Sequence, residues 1–302
     1  MQIAFAGGFS GLATRFLCQP LDVLKILFQV SLQVDGKTSR KYKSVTQAIT
    51  LIIKEEGLPA LWKGLVPAQI LSIIFGAVQF STYENVVKFG QQFNNNTTLL
   101  NDTTLHFYAG GVSGVTATIS SFPFDTIRTR LVAQHRLKVY KGFVNATKQI
   151  MIHEGPKGYL QGLLPACALT LPSSALTFGF KNVYNCLWNS IFVNTKDNHI
   201  LVTKGHLVTG LLAGISSKVT VYPLDVIKKR LQIQGMDEGG ITLKTKPKFK
   251  GFLNCLVLTI RYEGFLGLYK GLLPALIKAG AAGSIYFTIY NEVIYFMKLV
   301  QL

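Results

Sequence analysis

The sequence predicts an all-α membrane protein: six transmembrane helices in three pseudo-threefold repeats, with short amphipathic helices on one face of the membrane. Three observations carry this. Hydrophobic residues make up 49% of the 302-residue chain and charged ones only 15%, well below the roughly 25% of soluble domains. A short pattern, Pro-x-Asp-x-x-Lys/Arg, recurs three times at near-constant spacing. The basic residues are concentrated in alternate loops.

The copies of the pattern are Pro20-Leu21-Asp22-Val23-Leu24-Lys25, Pro123-Phe124-Asp125-Thr126-Ile127-Arg128 and Pro223-Leu224-Asp225-Val226-Ile227-Lys228, with prolines 103 and 100 residues apart. A fixed period of this kind is the mark of a repeat architecture, here with repeats 1–95, 96–195 and 196–302. A second element follows each copy. It reads Glu56-Gly57 then Trp62-Lys63-Gly64, Glu154-Gly155 then Leu160-Gln161-Gly162, and Glu263-Gly264 then Tyr269-Lys270-Gly271. A third precedes each proline: Gly7 and Gly11, Gly110 and Gly114, Gly210 and Gly214. Small residues four apart let helix backbones approach closely in lipid.

Each repeat holds two long apolar stretches, which places helices near 2–30, 65–88, 104–133, 163–188, 203–233 and 272–298. Gly64 to Tyr83 is free of charge over 20 residues, enough to cross a bilayer. The first, fifth and sixth helices carry interior cations, which must face protein or water. Amphipathic helices are expected in the basic loops, for example at 43–54 and 143–153.

The net charge is +17. Windows 25–63, 128–161 and 228–270 hold 23 of the 31 Lys and Arg but 7 of the 14 acids. Nearly all the excess charge therefore lies on one side, as the positive-inside pattern requires, and both termini fall on the other. This distribution argues against nucleic-acid binding, which wants basic and aromatic residues on one soluble face. Cys18, Cys167, Cys186 and Cys255 form no CxxC pair and are read as packing thiols rather than metal ligands. No Ser/His/Asp arrangement or Gly-rich phosphate loop is present, so no catalytic residue, metal site or cofactor is expected.

These motifs resemble those of the mitochondrial carrier family, whose hallmark is Pro-x-[Asp/Glu]-x-x-[Lys/Arg]-x-[Lys/Arg], a spacer, then [Asp/Glu]-Gly-x4-[Trp/Phe]-[Lys/Arg]-Gly, three times over. The resemblance covers essentially the whole chain. It departs at Leu27, which replaces the second basic residue of repeat one, at Leu160 and Gln161, and at Tyr269. Val66–Ile73 with Gly76–Phe80, and Ile215–Lys218 with Tyr222–Gln232, are similar to the branch that carries thiamine pyrophosphate. The resemblance implies the mitochondrial inner membrane, termini toward the intermembrane space, basic loops and amphipathic helices on the matrix side, and a monomer. The bilayer is then the surrounding partner, with cardiolipin a candidate contact.

Proline removes a backbone donor and clashes one turn back, so Pro20, Pro123 and Pro223 are expected to kink the odd-numbered helices. Beyond each kink stand an acid and a base three apart. Around a threefold axis Asp22, Asp125 and Asp225 can pair with Lys25, Arg128 and Lys228, which resembles the family's matrix gate. Gln29 and Gln232 sit at the family's bracing position, nine residues after the proline; Val132 takes the third such position. The opposite gate is weak, because Val87, Phe180-Lys181 and Tyr290-Asn291 break the family's acid–base pattern there.

Arg15 and Lys218 each lie five residues before a motif proline, where repeat two has Thr118. Asymmetry at threefold-related positions suggests substrate contact. By the family's spacing Lys278 joins them, with Leu71, Ser72 and Thr170 at the equivalent points. This predicts a cationic pocket with no acid nearby, suited to a polyanion because phosphates take charge-assisted bonds from Arg and Lys. Leu71, Phe75, Gln79 and Tyr83 share a helix face, as do Lys278, Ala282, Tyr286 and Tyr290. Such aromatics could stack on a heterocycle, with Gln79 at its edge. A diphosphate bearing an aromatic ring fits: thiamine pyrophosphate or a nucleotide. The alternatives are carriers of adenine nucleotides, deoxynucleotides or coenzyme A, and an uncoupling-type leak. The leak needs a titratable cavity carboxylate outside the gate motifs, and none stands mid-span.

Overall fold

The computed structural model describes residues 2–31, 42, 44–97, 102–134, 140–192, 199–234, 236 and 249–300. The α-helices are α1 (Gln2–Val30), α2 (Val45–Glu56), α3 (Leu65–Thr97), α4 (Asp102–Ala133), α5 (Phe143–His153), α6 (Pro156–Tyr159), α7 (Leu163–Phe192), α8 (His199–Gln232), α9 (Phe252–Glu263) and α10 (Leu272–Val300). Short 3-10 turns, Leu58–Trp62 and Phe265–Tyr269, lead into α3 and α10, and α6 takes that place before α7.

The six long helices have 29 to 34 residues. At 1.5 Å per residue even the shortest spans about 44 Å, more than the roughly 30 Å hydrocarbon core. Segments Leu58–Gln92, Pro156–Trp188 and Phe265–Met297 are long and apolar enough to cross a membrane. Helices α1, α4 and α8 match them in length and carry the motif charges. The long helices close into a ring. The extensive contacts are α3 with α4, α7 with α8, and α10 with α1, each joining neighbouring repeats.

The motif prolines lie inside continuous helices, α1, α4 and α8. Pro20 leaves the carbonyl of Phe16, four residues back, without its helical donor. The Trp62 indole N–H fills that role at 3.1 Å. Leu160, at the corresponding place in repeat two, has no such donor.

The small-residue stripe is offset from its expected register. A Cβ added at Gly11, Gly110, Gly114, Gly210 or Gly214 would meet nothing within 4 Å, and one at Gly7 would meet only the Tyr286 hydroxyl, at 3.6 Å. The buried small residues stand one position earlier: Ala6 and Ser10, Ala109 and Ser113, Thr209 and Ala213. Gly–Gly spacing finds the right helices and the wrong face, because the helix turns 100° per residue.

Close approach occurs instead at Gly64, Gly162 and Gly271, which end the second motif element at φ of +71°, +86° and +83°. A Cβ there would lie 3.2 Å from the Arg128 carbonyl oxygen, 3.0 Å from that of Lys228 and 3.0 Å from that of Lys25. Each glycine thus allows a left-handed turn and seats the next repeat's odd helix.

At the basic-loop end the amphipathic helices bury one stripe each: Ala48 and Ile52 in α2, Ala146 and Ile150 in α5, Cys255 and Thr259 in α9. One apolar cluster joins α1 (Val23, Leu24, Leu27) to α4 (Ile127, Leu131, Val132) and takes in Ile233 and Met236 just beyond α8. A separate cluster of Ile227, Leu231, Phe249, Cys255 and Leu268 lies within the third repeat.

Candidate functional site

The three motif pairs meet in one ring that closes the bundle at the basic-loop end. Lys25 pairs with Asp225 at 2.6 Å, Arg128 with Asp22 at 2.5 Å and Lys228 with Asp125 at 2.7 Å. Each base reaches the acid of a different repeat, so the ring is cyclic and every link crosses a seam. Asp22, Asp125 and Asp225 are buried. Burying a charge is costly unless a partner and hydrogen bonds compensate it.

The compensation differs from seam to seam. Asp125 also accepts from Lys229 at 2.8 Å and from the Gln232 amide at 3.0 Å. Asp225 accepts from the Gln29 amide at 3.3 Å and lies 3.8 Å from Lys218. Asp22 has no glutamine, because Val132 holds that place; its second cation is Lys278, at 2.6 Å. Two residues next to the motif also act here. Arg130 donates from Nε to the Gln232 carbonyl at 2.9 Å and pairs with Glu154. Arg230 donates to the Gln29 carbonyl at 3.1 Å and pairs with Glu263 at 2.6 Å. Leu27 is the third member of this set and packs with Val132 in the shared apolar cluster. The departures at Leu27 and Val132 therefore fall on one seam, between repeats one and two.

The replacement of the motif's aromatic and basic residues by Leu160 and Gln161 also has a local counterpart. The residues just before the prolines, Gln19 and Tyr222, donate to the carbonyls of Lys63 at 2.8 Å and Lys270 at 3.1 Å. In repeat two that residue is Phe122, whose ring lies under Lys228, with the ammonium 5.5 Å from its centroid. Gln161 instead donates to Glu154 at 3.2 Å and accepts from Arg130.

The three cations expected in the pocket all stand near the ring, against different members of it. Lys218 lies within electrostatic range of Lys278, Lys25 and Asp225, and Arg15 within range of Arg128, Asp22 and Asp125. The expectation of no nearby acid is corrected: Lys278 is held by Asp22 and Lys218 stands close to Asp225. Sequence spacing gives no sign that α10 passes over the gate acid of α1. Arg15 differs from both lysines. Its Nε is buried with no hydrogen-bond partner, which is costly unless a ligand supplies one.

A cavity of about 170 Å³ opens between α7 and α8 beside Lys218, with Ser173, Thr177, Ser217, Tyr222 and Asp225 among its walls. Thr170 is adjacent and donates to the Cys167 carbonyl at 2.7 Å. Leu71, Ser72 and Gln79 are half-buried on α3; among the described residues no hydrogen bond ties Ser72 or Gln79 to the cations. The aromatics pack between helices. Tyr83 shares a 2.9 Å hydrogen bond with His106 of α4, and Tyr286 stacks on Tyr290 with its hydroxyl near Gly7 of α1. Toward the termini, the ion pair seen among the described residues is Lys88 with Glu84, within one helix.

A ring of buried pairs under a cluster of cations can seat a polyanion and stop it from passing. The Mitochondrial carrier protein family model matches residues 1–94, 101–190 and 202–299. The mitochondrial thiamine pyrophosphate carrier of Homo sapiens is 37% identical, covering 96% of this chain and 90% of that protein. That of Macaca fascicularis is also 37% identical, with the same coverage. The mitochondrial thiamine pyrophosphate carrier 1 of Coccidioides immitis is 32% identical, covering 99% of this chain and 94% of that protein.

Proposed function

The chain belongs to the mitochondrial carrier family, a transporter rather than an enzyme, and we propose that it imports thiamine pyrophosphate across the mitochondrial inner membrane. The observation that carries the proposal is Arg15. It is a half-buried guanidinium with an unpartnered Nε, within electrostatic range of the ring members Asp22, Asp125 and Arg128. A diphosphate supplies the missing acceptors, and a guanidinium fork matches phosphate geometry. Lys218 and Lys278 add charge from α8 and α10, and Leu71, Ser72, Gln79 and Thr170 line the approach from α3 and α7.

The six long helices cross the membrane with both termini toward the intermembrane space, and the chain works as a monomer within the bilayer. Transport follows alternating access. The ring of Asp22, Asp125 and Asp225 with Arg128, Lys228 and Lys25, braced by Gln29 and Gln232, is the matrix gate, and Pro20, Pro123 and Pro223 let α1, α4 and α8 converge on it. Exchange against a nucleotide follows if the empty gates reopen slowly.

Thermal unfolding of the purified protein across a panel of phosphorylated metabolites tests the substrate, since a ligand of the folded form raises apparent stability by mass action. Thiamine pyrophosphate is expected to give the largest shift. A shift with coenzyme A or ATP and none with thiamine pyrophosphate would reassign the substrate. Uptake into liposomes with and without internal nucleotide tests exchange, and equal rates in both would end that part of the account.

A further inference from the structure

Helices α7 and α8 meet along a polar interface, where Thr177 bonds to Ser217 and Tyr184 to Ser216. The cavity beside Lys218 opens within it. At about 170 Å³ it is far larger than the roughly 10–15 Å³ that one water needs. Leu169 and Val221 are among its apolar walls. Gly214 leaves it open on the α8 side, since a Cβ there would meet nothing within 4 Å. Its polar edge is made by Ser173, Thr177, Ser217 and Asp225, with Lys218 beside them.

The protons of the three hydroxyls are already engaged. Ser173 donates to the Thr170 carbonyl at 2.9 Å and Ser217 to the Ser173 carbonyl at 3.0 Å. Thr177 donates either to the Ser173 carbonyl at 2.7 Å or to the Ser217 oxygen at 2.8 Å. Each oxygen keeps lone pairs, so what the edge still offers is acceptor capacity. Asp225 adds to it. Its contacts with Lys25, Gln29 and Lys218 all fall on Oδ2, which leaves Oδ1 able to accept. Repeat symmetry does not demand this edge. Eleven residues after the motif glycines Gly64, Gly162 and Gly271 stand Phe75, Ser173 and Ala282, and fifteen after them Gln79, Thr177 and Tyr286. Only repeat two has small hydroxyl side chains at both positions.

We propose that this cavity seats the ring of the transported molecule, and that Ser173, Thr177, Ser217 and Asp225 read an exocyclic amino group on it. An amino group brings N–H donors to an edge of acceptors. An oxygen in its place sets lone pairs against lone pairs and leaves the acceptors unmet, which is how a site built for a hydrogen bond rejects the analogue lacking it. The phosphates are left to the cations near the ring of ion pairs. The inference rests on the proposed import of thiamine pyrophosphate, whose pyrimidine carries such an amino group. It puts that pyrimidine between α7 and α8, rather than against the aromatics of α3 and α10, which pack between helices.

The test is competition for uptake of labelled thiamine pyrophosphate into liposomes holding the full chain. The competitors are unlabelled thiamine pyrophosphate and its oxo analogue, in which oxygen replaces the ring amino group and the diphosphate is unchanged. The parent protein should need about tenfold more of the oxo analogue for the same inhibition, roughly the worth of one hydrogen bond. Ser217→Ala, alone and combined with Thr177→Val, removes acceptors from the edge and leaves Arg15 and Lys278 in place. Both variants should still take up thiamine pyrophosphate and should lose most of the preference for the amino form. A parent inhibited equally by the two competitors, or transporting variants that keep the full parental preference, would overturn the inference and leave the carrier reading standing. A parent that takes up no thiamine pyrophosphate would overturn the substrate reading, and this inference with it.

Discussion

Replacing Asp125 with asparagine removes the most heavily used acid of the ring. The carboxylate accepts from Lys228 at 2.7 Å, Lys229 at 2.8 Å and Gln232 at 3.0 Å. Asparagine keeps the size and one acceptor oxygen but takes the paired carboxylate away from two ammonium groups, Lys228 and Lys229. Gln232 and Thr129 still accept from Lys229, so the loss falls mainly on Lys228. Breaking a buried pair by removing one partner costs about 3–5 kcal/mol. At roughly 2–4 °C per kcal/mol for chains of 150–250 residues, that lowers Tm by roughly 6–20 °C. The control is Glu84→Gln, which breaks the exposed Glu84–Lys88 pair within α3, a class of contact worth about 0–1 kcal/mol. Thermal unfolding of both variants in detergent, without ligand, is the assay. If Asp125→Asn melts within about 1 °C of Glu84→Gln, the ring does not hold the bundle shut in the way argued here.

Three further outcomes follow from the same geometry. Gly162→Ala combines a left-handed backbone, costing about 1–3 kcal/mol, with a Cβ 3.0 Å from the Lys228 carbonyl; it should lower Tm clearly, while Gly114→Ala, where a Cβ meets nothing within 4 Å, should not. Trp62→Phe keeps a ring against Phe16 but removes the donor that replaces the proline-blocked bond, so unfolding should show a loss of about 0.5–1.5 kcal/mol. Burial pushes the Cys255 thiol up to about 11, so at neutral pH a maleimide should label exposed Cys186 in the folded protein and reach Cys255 only on denaturation, as mass spectrometry of the labelled peptides will show.

Much of the fold is legible in the sequence because each signal is written three times. The starts of α3, α7 and α10 lie within a residue of expectation, since a left-handed glycine stands just before each of them. The end of α3 lies beyond the expected residue 88. The helix continues through the polar Gln and Asn run to Thr97, where hydropathy gives no warning. The third amphipathic helix, α9, carries the same buried stripe as α2 and α5. The ring pairs could be named from repeat symmetry, but which repeat each base reaches depends on the hand of the bundle. Lys278 on Asp22 joins residues 256 apart, and no local pattern announces it. The glycine pairs misled by one residue, because conformational permissiveness and burial are different properties. Leu27 and Val132 look like two unrelated departures until the fold places them on one seam.

The proposed transport depends on a phosphate-bearing solute being held by Arg15, whose Nε has no partner of its own. The most direct measurement is uptake of labelled thiamine pyrophosphate and of unphosphorylated thiamine into liposomes containing the protein or its Arg15→Ala variant. The parent should take up the diphosphate and leave thiamine outside, and the variant should lose most of that uptake while melting close to the parent without ligand. Equal uptake by the two proteins, or transport of thiamine as fast as its diphosphate, would contradict it.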